Sequence, residues 1–393
     1  MSLNPVIEKL GRRLRLALVG GGPGSFIGRM HRTAARIDGR YEIVAAVLSS
    51  DPTRSQKAGK EIGLSSERAY SDLPAMLNGE ANRPDGADVV AIMTPNDSHL
   101  AYSLAALDAG FHVICDKPIA NSSADAQLIV DKVKETHLIF CLTHNYSGYP
   151  LVRQAKAMVE KGEIGDLRLV QVEYVQGGKA NESVKDNPKA QRGWKYNQAI
   201  SGPSLVLGDI GTHAHHLLRF VTGKEISALS ADLGAIVPGR VVHDFAGILL
   251  RIEGGARGIL WVTQAAAGIE NSLKIRVSGN RGSLEWWQEI PQRLSYFPLG
   301  QPAQIRSPNG PGAHPESARV CRLSAGHPEG FPEGFANIYS DVAEAIVAHI
   351  TGTKPDPLAM SFPNAEDGLA GMRFIDASLK SSETNEKWTV LQS

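Results

Sequence analysis

Through residue 146, short apolar runs alternate with segments of helical period. The runs LRLALVG, YEIVAAVLSS, ADVVAIMT, FHVICDKP and LIFCLTHNY read as strands, while HLAYSLAALDAG, SADAQLIVDKVKETH and a stretch beginning near Asp51 read as helices. Near-continuous apolar strands are those buried on both faces, as in a parallel sheet covered by helices. The pattern therefore predicts a doubly wound α/β domain over residues 1–146. Beyond it the pattern changes. ISALSADLGAIV, FAGILLRIEGG, ARGILWVTQAAAG, SLKIRVSGN and GSLEWWQEI predict antiparallel strands, with hairpins at Gly254-Gly255 and at Gly279-Asn280-Arg281-Gly282. ANIYSDVAEAIVAHI has a helical period, and a last amphipathic helix over 365–380 could pack on either domain. Residues 147–393 thus read as a second, α+β domain.

A chain of 393 residues exceeds what one core usually supports, in agreement with two domains. With 41 basic against 41 acidic side chains there is no electrostatic reason to favour nucleic acid or an anionic membrane. No stretch approaches the roughly 20 apolar residues of a membrane span, and the opening MSLNPVIEKLGRRLRLALVGGG lacks a signal-peptide cleavage site. Cys115, Cys141 and Cys321 are odd in number and widely spaced, which suggests neither a disulfide framework nor a zinc ribbon. The expectation is a cytoplasmic protein.

The turn after the first strand is Gly20-Gly21-Gly22-Pro23-Gly24-Ser25-Phe26-Ile27-Gly28. Glycines between a strand and a helix allow backbone N–H groups to approach a pyrophosphate, so Gly20, Gly22, Gly24, Phe26 and Ile27 are candidate cofactor contacts. The spacing departs from G-x-G-x-x-G: the third glycine arrives three residues late, at Gly28, and a longer loop is expected. After the second strand, where an acidic residue normally holds the adenosine ribose, stand Leu48-Ser49-Ser50-Asp51-Pro52. Asp51 is placed either to contact a ribose or to cap the next helix. Ser49 and Ser50 could meet a ribose hydroxyl or a 2′-phosphate. The absence of an arginine cluster favours NAD, with NADP left open.

Two further strand ends carry Thr94-Pro95-Asn96-Asp97-Ser98-His99 and Asp116-Lys117-Pro118, counted as following the fourth and fifth strands. With Asp209-Ile210-Gly211-Thr212-His213 downstream, this ordered set resembles the glucose-fructose oxidoreductase and inositol dehydrogenase family from Leu14 to about Val390. The resemblance implies a Rossmann domain followed by an α+β domain with a large, mostly antiparallel open sheet that makes homo-oligomer contacts in a dimer or tetramer. It also implies cofactor contacts at Thr94, Pro95, Asn96, His99, Asp116 and Lys117. Two positions depart from the family pattern: its E-K-P is D-K-P here, and its N-Y-R is Asn145-Tyr146-Ser147, which lacks the arginine. The long gap from Tyr174 to Asp209 and the phrase GDIGTHAHHLLRFVTG look closest to members acting on inositols, L-glucose or anhydrosugars.

Oxidation of a secondary alcohol needs a proton acceptor, a donor that steadies the developing alkoxide, and a carbon held against the nicotinamide. The resemblance implies that Lys117, Asp209 and His213 supply these parts, with His213 as base and Lys117 as hydrogen-bond donor, roles the two could exchange. If residues 209–213 are helical, Asp209 and His213 share a face, and Asp209 orients the imidazole. From the residues alone, Asp209 could equally be a helix cap and His213 a buried core histidine. His213, His215 and His216 also invite a metal, but no Cys or Glu completes a ligand set, and none is expected. The segment Gln176 to Gly202, with Arg192-Gly193-Trp194-Lys195 at its centre, reads as a long functional loop. Gln176, Trp194, Lys195 and Asn145 are candidate substrate contacts, each with a surface or packing role as the alternative. A non-catalytic nucleotide-sensing regulator and an oxidoreductase that retains its cofactor are the competing functions.

Overall fold

The computed structural model describes residues 4–181, 193–384 and 386–391, which divide into two compact units. The first contains the chain through Ala120, Ala124–Gly148 and Phe331–Leu369. Its sheet comprises β1 (Leu14–Gly20), β2 (Tyr41–Val47), β3 (Val89–Met93), β4 (His112–Cys115) and β5 (Phe140–Leu142) in the order β2-β1-β3-β4-β5, with every pair parallel. β3, β4 and β5 are buried at every position, as expected of strands covered on both faces. The order reverses at β1, so the loops after β1 and β3 flank a topological switch point, where open α/β sheets bind ligands.

Two expectations need correction here. The TPNDSH and DKP segments follow the third and fourth strands, not the fourth and fifth. Between residues 51 and 87 the chain forms helices Pro52–Glu61 and Leu73–Ala81 and contributes only a single parallel bridge, Ala46 to Ala69. The expected boundary at residue 146 lies close to Gly148, where that stretch of the first unit ends, but residues 331–369, expected in the second domain, group with the first unit. The helix Phe331–Thr351 buries Phe335, Ile338, Tyr339, Val342 and Ile346 in one cluster with Leu14, Leu16, Leu18 and Val89 of the parallel sheet. Its periodicity was legible, but an apolar stripe does not say which core it covers.

The second unit contains Asn121–Ser123, Tyr149–Gly330 and the chain from Ala370. Its strands are β6 (Leu167–Val175), β7 (Ile226–Gly234), β8 (Phe245–Ile252), β9 (Arg257–Thr263), β10 (Ser272–Gly279), β11 (Gly282–Trp287), β12 (Leu294–Pro298), β13 (Gln304–Arg306) and β14 (Thr389–Val390). Among the described residues they form one sheet, ordered β13-β12-β11-β10-β6-β9-β8-β7-β14. The hairpins β8–β9 and β10–β11 fall where the glycine pairs predict them. β6, not anticipated as a strand, inserts between β9 and β10 and pairs parallel with β9, while the other neighbours are antiparallel. Along β8 burial alternates residue by residue, so one face is covered and the other is not. The helix Thr212–Thr222 packs over β6, β9 and β10 on the covered face. Leu169, Leu249 and Ile259 lie on the open face at 58%, 51% and 49% exposure. The last helix, Ala365–Glu383, is shared: the residues to Leu369 group with the first unit and those from Ala370 with the second. Among the described residues no helix is long and apolar enough to cross a membrane.

Candidate active site

In the first unit the candidate residues gather at the C-terminal ends of the parallel strands. The loop after β1 runs to Ser25, and the helix Phe26–Ile37 follows. Gly20 and Gly21 adopt left-handed φ of 79° and 65°, and a Cβ on Gly20 would stand 2.7 Å from the Met93 carbonyl oxygen. Gly28 is the third residue of the helix, not its first, and its Cα rests against Gly21, where any side chain would collide with backbone. The displaced glycine thus performs the close packing of a third fingerprint glycine one turn later. At the third fingerprint position stands Ser25, which caps the helix by accepting from Gly28 N–H at 3.1 Å. The Arg32 guanidinium holds the Gly21 carbonyl at 2.6 Å. The first-turn N–H groups of Phe26 and Ile27 have no intrahelical acceptor, and the helix dipole favours an anion beside them. Backbone this close, with no room for a Cβ, fits a dinucleotide pyrophosphate. Phe26 itself is exposed and stands 5.9 Å from the Phe331 ring, whereas the Ile27 side chain packs on the core cluster.

At the end of β2 Asp51 is a helix cap: its carboxylate accepts from Arg54 N–H at 2.7 Å and begins the helix Pro52–Glu61. Ser49 Oγ accepts from Asp51 N–H, and Ser50 is exposed. After β3, Ser98 Oγ donates to Thr94 Oγ1 at 2.6 Å and Asn96 begins a short 3₁₀ turn after Pro95. His99, expected to contact the cofactor, is 1% exposed, with Nδ1 2.7 Å from the Pro118 carbonyl and Nε2 3.0 Å from the Thr94 carbonyl. Its pKa is pushed up to about 9: burial lowers it, but Cys115, the Pro118 carbonyl and Asp116 outweigh burial. Asp116 turns back on its own loop and accepts from Lys117 N–H at 2.9 Å and from Thr143 Oγ1 at 2.8 Å. Lys117 precedes a cis proline, Pro118. Asn145, on the turn after β5, is 3% exposed, and its Nδ2 meets no acceptor among the described residues. A buried amide left so invites a ligand oxygen.

In the second unit the structure brings together three of the substrate candidates. Asp209 accepts from Lys195 Nζ at 3.0 Å on each oxygen and from Gln264 Nε2 at 2.9 Å, with Lys179 Nζ 3.6 Å away. Gln264 also donates to Gln176 Oε1 at 3.0 Å, and Gln176 donates to Asn271 at 2.6 Å. Trp194 is partly exposed beside Lys195, whose ammonium lies 5.8 Å from its ring. Residues 182–192 of this loop, Arg192 included, lie outside the described residues. The segment around Asp209 is not a plain helix: Leu207–Gly211 is a π-helical turn leading into the helix Thr212–Thr222. Because the π turn runs straight into that helix, positions 209 and 213 remain about one turn apart. His213 is 8% exposed and lies edge-on to the Tyr174 ring at 6.4 Å, and Tyr174 donates its hydroxyl hydrogen to Asn271 at 2.8 Å.

Sequence reasoning missed Lys179, Gln264 and the brace behind them. A fully buried Arg240–Asp244 pair at 3.3 Å donates from Arg240 Nη2 to the Lys179 carbonyl at 2.7 Å, and the Tyr196 ring lies 5.7 Å from both the Arg240 guanidinium and the Lys179 ammonium. The polar composition of the loop hinted at Lys179 alone, since Gln264, Arg240 and Asp244 lie beyond it. His215 is buried flat against Phe374 at 4.5 Å, and burial pushes its pKa well down. Among the described residues no cluster of three or more His, Cys, Asp or Glu is arranged to hold a metal.

Comparison with known proteins agrees with the two-part fold. Residues 14–144 match the model of the oxidoreductase family with an NAD-binding Rossmann fold, and residues 152–285 match the GFO/IDH/MocA C-terminal domain. The chain is 35% identical over 382 residues to an uncharacterised oxidoreductase of Bacillus subtilis strain 168, YfiI, covering 96% of this chain and 97% of that one. An oxidoreductase structure from Sinorhizobium meliloti is 45% identical, with a TM-score of 0.86 over 96% of this chain and 99% of that one. An inositol dehydrogenase homologue from Azotobacter vinelandii, solved with NAD+, is 33% identical, with a TM-score of 0.92 over 99% of this chain and 100% of that one. The same homologue has been solved with NADH and myo-inositol. With both halves matched in order and the fold shared over nearly its whole length, this chain belongs to the Gfo/Idh/MocA oxidoreductase family and carries its NAD-binding Rossmann domain.

Proposed function

We propose that the protein is an NAD-dependent dehydrogenase that oxidises a ring hydroxyl of a cyclic polyol or sugar to the ketone, with scyllo-inositol, L-glucose or a related ring as substrate. The observation that supports this most is the set of ammonium and amide groups around Asp209, namely Lys195, Lys179, Gln264 and Gln176. Such a set offers donors and acceptors that suit several neutral hydroxyls at once. The Azotobacter homologue solved with NADH and myo-inositol supports the same substrate class.

Lys117, Asp209 and His213 are the proposed catalytic residues. Bound NAD supplies the hydride acceptor. His213 takes the hydroxyl proton, Lys117 donates a hydrogen bond to the oxygen as charge develops there, and Asp209 orders the ammonium groups that position the ring. Asn145, Trp194, Lys195 and Gln176 complete the substrate contacts. We further infer a cytoplasmic homo-oligomer, a dimer or tetramer of this chain formed through the open sheet face that carries Leu169, Leu249 and Ile259. Light scattering on Leu249→Glu, expected to yield the monomer, checks that inference.

The test is a screen of inositols, hexoses and anhydrosugars against NAD and NADP, followed by Lys117→Ala and His213→Ala. Either variant should lower kcat about 10²- to 10⁴-fold with little change in NAD affinity. His213→Ala should also flatten the acidic limb of the pH–rate profile. The double variant should cost less than the product of the two, since both groups act on one hydroxyl. Near-normal turnover in both single variants, folded and binding NAD, would refute the assignment, and NAD binding without turnover of any substrate would favour a regulator.

A further inference from the structure

We propose that His99 is a positioning residue, a buried imidazolium that clamps the loop after β3 to the turn after β4 and thereby holds Lys117 in register. The inference rests on the assignment of Lys117 above, and its geometry lies wholly within the first unit. Both ring nitrogens face backbone carbonyl oxygens, Nδ1 that of Pro118 at 2.7 Å and Nε2 that of Thr94 at 3.0 Å. A carbonyl oxygen only accepts, and neutral imidazole has one N–H. Two such contacts together call for two donors, which only the doubly protonated ring provides.

At 1% exposure this cation has no access to bulk water, so its charge must be balanced locally. The titratable groups that face it are Cys115 and Asp116 at the end of β4 and His31 of the helix Phe26–Ile37. Cys115, hydrogen-bonded to the ring, favours the cation most, followed by the Pro118 carbonyl and Asp116, whose oxygen is fixed in turn by Lys117 N–H and Thr143 Oγ1. His31 gives the contrast. It is equally buried, but its Nδ1 meets the Tyr339 hydroxyl, which can donate, and its Nε2 meets nothing among the described residues. Burial accordingly lowers the pKa of His31 to about 4, while that of His99 rises to about 9. The ends of β3, β4 and β5 are thus tied through His99, Asp116 and Thr143. Aspartate in place of the family's glutamate fits this frame, since the shorter side chain reaches its own neighbour's N–H.

The experiment combines ¹⁵N-histidine NMR with kinetics on the full-length protein. The His99 ring, assigned by its loss in His99→Gln, should read as imidazolium at pH 7.5 and deprotonate near pH 9. His99→Leu should lower kcat at least tenfold. His99→Gln, which keeps N–H donors without a titrating charge, should recover part of that loss and abolish the break near pH 9. A neutral His99 ring at pH 7.5, or an unchanged alkaline break in His99→Gln, would overturn the clamp. If His99→Leu does not fold, the NMR titration of the unsubstituted protein still decides. Normal turnover in Lys117→Ala would overturn the catalytic role of Lys117 alone, because the protonation state of His99 is read separately.

Discussion

Gly28→Ala is a sharp test of how the cofactor loop is built. The added Cβ would overlap the Gly21 carbonyl and stand 2.5 Å from Gly21 C and Cα, where ordinary contact begins at 3.4 Å. Backbone would therefore have to part by about 1 Å, and neither side offers a flexible side chain to give way. Gly21 is itself constrained, by φ of 65° and by Arg32 on its carbonyl. Overpacking of this kind costs about 1–3 kcal/mol. Because NAD binding needs the loop in its unshifted position, much of that cost should appear as lost affinity, roughly 10- to 100-fold. Gly24→Ala is the control: its Cβ meets open space, but φ of 83° costs about 1–2 kcal/mol of backbone strain without moving the loop onto the helix. Calorimetric NAD+ titration alongside thermal melts separates the two effects. If folded Gly28→Ala binds NAD+ within twofold of the parent protein, the packing argument is wrong.

Three further outcomes follow from the electrostatics. Burial lowers the folded pKa values of His31 and His112 to about 4, so their stabilisation is full above the unfolded value near 6.5 and is lost as pH falls towards 4, roughly 3 kcal/mol for each group. His99, raised to about 9, acts with the opposite sign: its contribution is full below 6.5 and is lost as pH rises through 9. Urea melts should thus show maximal stability near pH 6.5, and a stability flat from pH 5 to 9 would contradict all three assignments. Asp209→Asn removes the charge on which Lys195 and Lys179 converge, and should lower kcat/KM about tenfold or more; with Lys179→Met added, the two losses should combine less than additively. NAD should be preferred over NADP by roughly tenfold, since no arginine cluster stands after β2 to pair with a 2′-phosphate; a clear NADP preference in initial rates would show that turn to be misread.

Local signals were the legible ones. Strands buried on both faces, the glycines at Gly20 and Gly22, the hairpins at Gly254-Gly255 and Gly279 to Gly282, and the period of the helix Phe331–Thr351 depend on neighbours within a few residues, and all appear as expected. The chemistry-bearing segments Thr94 to His99 and Asp116 to Pro118 were placed at strand ends for the same reason. What the tertiary structure decided are pairings across long stretches of chain. The helix Phe331–Thr351 joins a core some 300 residues upstream because apolar periodicity fixes which face is buried but not what buries it. β6 sits between β9 and β10 because strand order depends on backbone hydrogen bonds that no local pattern encodes. Asp209 meets Lys195 and Gln264, 14 and 55 residues away along the chain, which no local pattern around it encodes. His99, a cofactor contact by its motif, lies buried between two carbonyl oxygens, a setting that only the folded loops create.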